Sequence, residues 1–352
     1  MVRTVTLRDF RSYPRLELAL EPGVVLVTGP NGAGKTNLLE ALHVGTQGFS
    51  PRARSDAQLI RFGADAGRVA LAGTNGTGPF ESDVVLHARE ARRARLNGAA
   101  LRSSEQLRHE LQALVFTPDR LAVVKGGPAA RRAYLDRSLG RLFPARATLS
   151  VEYAAAVGQR NAALRRLAAG ASSREALDPW NETVAALGVQ LVDGRRATLE
   201  ALAGPYAALA DRLGLPAAAA TYEGEPPTVA ELEARLEKDI ERGVTGAGPH
   251  LHDVGLRSEQ RDLRGFGSQG EQRIAVLALV LAEAEALSLH SDAHPLVLLD
   301  DVLSELDEDR RRTLGEIVAA GGQTVVTTTS AASLPTEPAQ HLAVVPGEVR
   351  AV

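Results

Sequence analysis

Val2, Val5 and Leu7 alternate roughly with polar positions, and Leu16, Leu18 and Leu20 alternate again, so the first twenty residues predict two half-buried strands. Val24 to Val27 is a short continuous apolar run, the pattern of a strand covered on both faces. Gly29 to Thr36 follows at once, and then Leu38, Leu39 and Leu42 sit at helical spacing between Asn37 and Val44. The order is strand, glycine loop, helix. From about Arg68 to Leu96 short apolar segments broken by glycine return, clearest at Val84-Val85-Leu86, and predict a peripheral antiparallel sheet.

The character changes near Pro118. From Arg131 to about Arg242 the strong helix formers Ala, Leu, Arg and Glu dominate, with breaks predicted at Pro144, Gly170, Pro179, Gly204-Pro205 and Pro216. Tyr222 to Thr228 reads as a loop and Val229 to Ile240 as a helix. From Gly246 both patterns resume: a long apolar helix over Gln272 to Leu289, a buried strand over Pro295 to Leu299, a helix over Glu308 to Ala320 and a strand over Thr324 to Thr328. The expected fold is α/β, with one parallel-sheet lobe assembled from residues 1–120 and 246–352 and a mainly helical lobe inserted at 121–245.

Composition narrows the chemistry. The absence of cysteine excludes disulfides, thiolate zinc sites and a cysteine nucleophile, and suits a reducing cytoplasm. No apolar run approaches the roughly 18 residues that a membrane span needs, and no basic stretch with an apolar signal core opens the chain, so neither a span nor secretion is expected. The net charge of -3 announces no global attraction to nucleic acid, and any basic surface is local. Lysine occurs only at Lys35, Lys125 and Lys238, against 37 arginines, which makes Lys35 conspicuous.

Lys35 stands in Gly29-x-x-x-x-Gly34-Lys35-Thr36, the phosphate-loop pattern, with a strand before it and a helix after it. Backbone N–H groups from Gly29, Asn31, Gly32, Ala33 and Gly34 onward would wrap a phosphate at the helix N-terminus, with Pro30 shaping the loop but lending no N–H; Lys35 would neutralise β and γ oxygens, and the Thr36 hydroxyl would ligate Mg²⁺. Leu296 to Leu299 then ends in Asp300-Asp301. Alternation along a strand aims the two carboxylates differently, which suits Asp300 for the metal and Asp301 for orienting the attacking water. About thirty residues earlier, Ser268 and Gly270 open a helix and form either a second anion site or an ordinary helix cap.

Gly267-Ser268-Gln269-Gly270-Glu271-Gln272-Arg273 resembles the signature motif of ABC-type ATPases, in the form used by the SMC and RecF group, and Ser304 to Asp307 follows the acidic pair as the D-loop does there. Leu7 to Tyr13, Arg61-Phe62-Gly63, Val115 to Asp119, Val124 to Pro128, Arg131-Arg132 and Gly248-Pro249-His250 also resemble the bacterial RecF family, over nearly the whole length. The resemblance implies an ATPase of DNA repair that dimerises head to tail on ATP, with the nucleotide between one subunit's loop and its partner's Ser268 and Gly270. It adds Arg11, Ser12 and Asn37 to the nucleotide contacts, DNA at single-strand gaps as a partner, and RecO, RecR and RecA as co-workers.

Two departures stand out: Thr327-Thr328-Thr329 occupies the place where many ABC ATPases carry a histidine facing the γ-phosphate, and Gln112 is a weak Q-loop candidate. Arg89, Arg92, Arg93 and Arg95, then Arg131-Arg132, then Arg165-Arg166, form local basic clusters that fit either non-specific phosphate contacts or solvated faces. His250-x-His252-Asp253 has metal-ligand spacing without a third ligand and reads as structural. A membrane-transporter ATPase subunit is the competing reading, disfavoured by the roughly 230 residues and the helical insertion between Gly34 and Ser268. An SMC-type tether would need a long coiled coil, for which this insertion is too short and too broken by proline.

Overall fold

The computed structural model describes residues 1–290 and 294–352. The chain divides into two compact units, one of Met1–Arg120, Arg212–Gly214 and Val276–Val352, the other of Leu121–Asp211 and Leu215–Ala275. No helix among the described residues is long and apolar enough to cross a membrane.

In the first unit a six-stranded sheet runs in the order Glu348–Ala351, Gln340–Val345, Val24–Thr28, Thr324–Thr328, Leu296–Leu299, Ala113–Phe116. All pairings are parallel except the C-terminal hairpin. The three central strands are buried along their whole length, Val24–Thr28 and Leu296–Leu299 as largely apolar runs and Thr324–Thr328 with three threonines buried beside its two valines. Register sets Val27 beside Thr327 and Leu299 beside Val326, so the carboxyl ends of these strands finish at one level. A crevice outside such strand ends is where open α/β sheets place their ligands.

The predicted antiparallel sheet also forms, in the order Tyr13–Ala19, Val2–Phe10, Ala66–Asn75, Gly78–His87, Arg93–Leu96, Ala99–Ala100. Helix Lys35–Gln47 packs against both sheets: Leu38, Leu39 and Leu42 share one core with Val5, Leu7, Val69 and Leu71 on one side and with Val25 and Val27 on the other. Gln323 fastens the ends of the chain together, donating to the Val2 carbonyl and accepting the Val2 N–H, each at 2.7 Å.

The second unit is built on helices Pro128–Leu142, Leu149–Ala168 and Asp178–Arg212, with a three-stranded antiparallel sheet of Arg261–Asp262, Asp253–Ser258 and Ala218–Glu223. Three expectations change. Tyr222 is in a strand rather than a loop, because Ala218–Glu223 finds a partner in Asp253–Ser258. The same pairing holds residues up to Ala275 in this unit, so the return to the first unit falls at Val276 rather than at 246. Gly204-Pro205 breaks nothing: the helix continues to Arg212 with Leu202, Tyr206 and Leu209 buried around the proline. Burying each such side chain contributes about 1.5–3 kcal/mol, which offsets the roughly 3 kcal/mol cost of an internal proline.

Candidate nucleotide site

Strand Val24–Thr28 delivers the chain into Gly29, and helix Lys35–Gln47 takes it away from Gly34. Gly34 has φ 118° and offers no side-chain cap, so the amides of the first helical turn are left for an anion. A Cβ on Gly34 would stand 2.9 Å from both Ser12 Oγ and Tyr13 Oη, and one on Gly29 would collide with the Val344 carbonyl oxygen. Tyr13 Oη donates to the Gly34 carbonyl at 3.0 Å, and Asn37 Nδ2 donates to Ser12 Oγ at 3.0 Å. The strand pair that begins the chain therefore braces the loop from outside. Lys35 Nζ donates to the carbonyls of Gly29 (2.7 Å) and Pro30 (3.0 Å). Burial pushes its pKa down, opposed by the charges of Asp301 and Asp300.

Arg11 lies in the same neighbourhood with its guanidinium committed. It grips the buried Glu40 carboxylate through two bonds of 2.8 Å and donates to the Gln58 carbonyl at 2.7 Å. Its effect is to tie the loop's helix to the first strand pair.

The acidic pair closes the site. Thr36 Oγ1 donates to Asp300 Oδ1 at 2.9 Å, joining residues 264 positions apart. Thr327 Oγ1 donates to that same oxygen at 2.8 Å and accepts the Asp301 N–H at 3.0 Å. Burial raises the Asp300 pKa, countered by the hydrogen bonds of Thr327 and Thr36. Asp301 sits at φ 48°, in the left-handed region, as do Asp9 and Arg11 at φ 44° and 53°. Asn97, Ala217 and Glu259 share that region away from the site, so what matters at Asp301 is the neighbours that hold it. The Thr36 hydroxyl and Asp300 carboxylate are hard oxygen donors of the kind Mg²⁺ takes. Among the described residues no group of three or more His, Cys, Asp or Glu could hold a metal.

Ser268 and Gly270 stand in the second unit, at the start of helix Gln269–His290. Ser268 Oγ accepts the Glu271 N–H at 3.2 Å while the Glu271 carboxylate accepts the Ser268 N–H at 2.7 Å, a reciprocal capping box. The Ser268 N–H and hydroxyl, with Arg261 beside them, hold the Glu271 pKa below its usual value. Gly270 leaves open space where a side chain would be.

The remaining candidates are mostly structural. Gln112 precedes strand Ala113–Phe116, at the end of the parallel sheet opposite the phosphate loop. Arg131 is buried in a bidentate pair with Asp253, Arg132 donates to the His252 carbonyl, Arg92 pairs with Asp56 and Arg93 with Glu90. His250 lies between Tyr153 Oη (2.8 Å) and the Thr245 carbonyl (3.0 Å), and His252 beside Tyr222 Oη (2.9 Å). Sequence reasoning missed the parts played by Tyr13, Glu40 and Thr327: Tyr13 stood out only as the last residue of the Leu7 to Tyr13 resemblance, Glu40 carries no motif, and Thr327 was visible only as a missing histidine.

The model of the RecF/RecN/SMC N-terminal domain matches residues 1–345. A "DNA replication and repair protein RecF" of Frankia alni is 38% identical over 95% of this chain and 94% of its own length, and one of Heliobacterium modesticaldum is 35% identical over 93% and 92%. In fold, the chain is similar to the recombination mediator protein RecF solved with ATP (TM-score 0.88, 24% identity, 100% of this chain and 97% of that one). It is also similar to an Smc head bound to the C-winged helix domain of ScpA (TM-score 0.62, 16% identity, 100% and 96%).

Proposed function

The chain belongs to the RecF/RecN/SMC family, among whose members its close relatives are RecF proteins, and on that premise we propose that it is an ATP-dependent DNA-binding protein of recombinational repair. The observation that carries this reading is the meeting of Thr36 and Asp300 at the carboxyl ends of buried parallel strands, directly behind a glycine loop whose helix has no cap of its own.

The loop amides and Lys35 would hold the β and γ phosphates, which requires Lys35 to exchange the Gly29 and Pro30 carbonyls for phosphate oxygens. Thr36 and Asp300 would hold Mg²⁺, which when bound neutralises charge on the phosphate oxygens. Asp301, on its strained backbone, would orient the attacking water and accept its proton. Ser268 and Gly270 would face a partner subunit's γ-phosphate, so that ATP joins two copies head to tail around DNA at a single-strand gap. For Ser268 this means opening the capping box. Slow hydrolysis would then time release, while RecO and RecR help RecA displace single-strand-binding protein. The place of action would be the cytoplasm.

The test is binding to fluorescent gapped DNA with and without ATP, for the wild type and Ser268→Arg. Tight binding that needs ATP and disappears in the variant, with ATP affinity of the isolated chain retained, is the expected result. DNA binding indifferent to ATP would overturn the reading.

A further inference from the structure

Thr327 is wholly buried, and its one hydroxyl serves two masters: its proton goes to Asp300 Oδ1 at 2.8 Å and its lone pair receives the Asp301 N–H at 3.0 Å. The strand register makes this possible, because Val326 pairs with Leu299 and the next residues of both strands stand side by side. Asp301 leaves its strand with φ 48°, a conformation that costs a non-glycine residue about 1–3 kcal/mol and persists only where neighbours hold it. The hydrogen bond to Thr327 holds the backbone of that residue. Thr36 reaches the same Asp300 oxygen, so one atom links the phosphate-loop helix, the acidic strand and the strand between them.

We infer that Thr327 is a positioning residue for hydrolysis: its hydroxyl fixes the Asp300 carboxylate and the strained Asp301 backbone in one geometry, and thereby aims the water-orienting carboxylate. The inference rests on the reading of Asp300 and Asp301 given above. A side chain in this place that neither donates nor accepts leaves Asp301 with an orphaned N–H and removes one of the bonds that hold its backbone, Ser304 Oγ still donating to the Asp301 carbonyl at 3.1 Å, while Lys35 keeps its own partners in the loop.

Thr327→Val preserves the shape and removes both bonds; Thr327→Ser restores them. Single-turnover hydrolysis, equilibrium ATP binding with Mg²⁺ and with EDTA, and thermal unfolding would be measured for both, beside Asp301→Asn. The expected result for valine is hydrolysis slowed about ten- to a hundredfold, the effect of one orphaned buried donor. Its ATP affinity in EDTA should stay within about twofold of wild type, and serine should recover most of the rate, since only a transition-state contribution is lost. An unchanged rate in Thr327→Val, a serine variant as slow as valine, loss of ATP affinity in step with rate, or failure of the valine chain to fold would each overturn the inference. Asp301→Asn separates the two levels. Full activity there removes the reading beneath, whereas an inactive Asp301→Asn beside a fully active Thr327→Val overturns the role of Thr327 alone.

Discussion

Gly34 combines a φ of 118° with a missing Cβ that would stand 2.9 Å from Ser12 Oγ and Tyr13 Oη. Alanine there must strain the backbone and push the bracing strands away, and backbone strain alone is worth about 1–3 kcal/mol. Gly34→Ala should therefore weaken ATP binding about ten- to a hundredfold by isothermal titration, with the fold retained. A second residue-scale effect depends on pH. The Thr245 carbonyl can only accept, so His250 Nε2 carries its proton and Nδ1 accepts from Tyr153, a fully satisfied neutral ring. Burial, with the nearby Arg132 and Arg195, depresses the His250 pKa below 6.5 in the folded chain, against a hydrogen bond to Thr245 that raises it. Above that value both folded and unfolded forms are neutral; below it the unfolded chain binds the proton first, so stability falls as pH drops. Urea midpoints at pH 7.5 and 5.5 should differ less for His250→Gln than for wild type, and equal differences would dismiss this source of acid sensitivity.

Elements whose apolar pattern had a clear period were legible in the sequence. Glu308–Ala320 and Thr324–Thr328 fall where periodicity puts them, and Lys35–Gln47 extends the expected helix by a few residues at each end. Ala218–Glu223 was not legible, since three alanines have little strand preference and only pairing with Asp253–Ser258 decides the matter. Nor was the part played by the C-terminal segment: strand Gln340–Val345 carries no motif, yet it lies beside Val24–Thr28 and brings the Val344 carbonyl against Gly29. The loop and acidic pair could be read because their residue types are chemically unusual, whereas bracing by Tyr13 or Glu40 depends on tertiary placement. Arg160 shows the same principle in the helical unit. Fully buried, it joins helix Leu149–Ala168 to Asn181, Asp239 and Thr245, with 2.7 Å to Asp239. Arg160→Met strands the Asp239 carboxylate and should cost about 3–5 kcal/mol in urea unfolding. Adding Asp239→Leu should return much of it, because the penalty lies in the unpaired charge; a double variant as unstable as the single would refute that account.

At the scale of the whole molecule, the charge balance of -3 gives a lone chain no global attraction for DNA, and Arg131, Arg160 and Arg195 are engaged in ion pairs with Asp253, Asp239 and Asp136. Affinity for a polyanion should therefore depend on assembly, which doubles whatever contacts one copy makes. Each chain owns one phosphate loop, in the first unit, and one Ser268–Gly270 helix start, in the second. In a two-fold head-to-tail dimer both composite sites draw on both subunits. Lys35→Ala ruins a chain's loop but leaves its Ser268; Ser268→Arg does the reverse. Mixed, the two variants form heterodimers in which the intact loop of one chain meets the intact Ser268 of the other, and the remaining site is doubly broken. Random pairing in an equal mixture makes half the dimers mixed, so about a quarter of the wild-type number of sites should reappear, where either variant alone has none. Hydrolysis in the mixture above the sum of the separate variants is the expected outcome. A mixture no more active than its parts would mean that no site is shared between copies, and the capping box of Ser268 and Glu271 would then be a helix cap and nothing more.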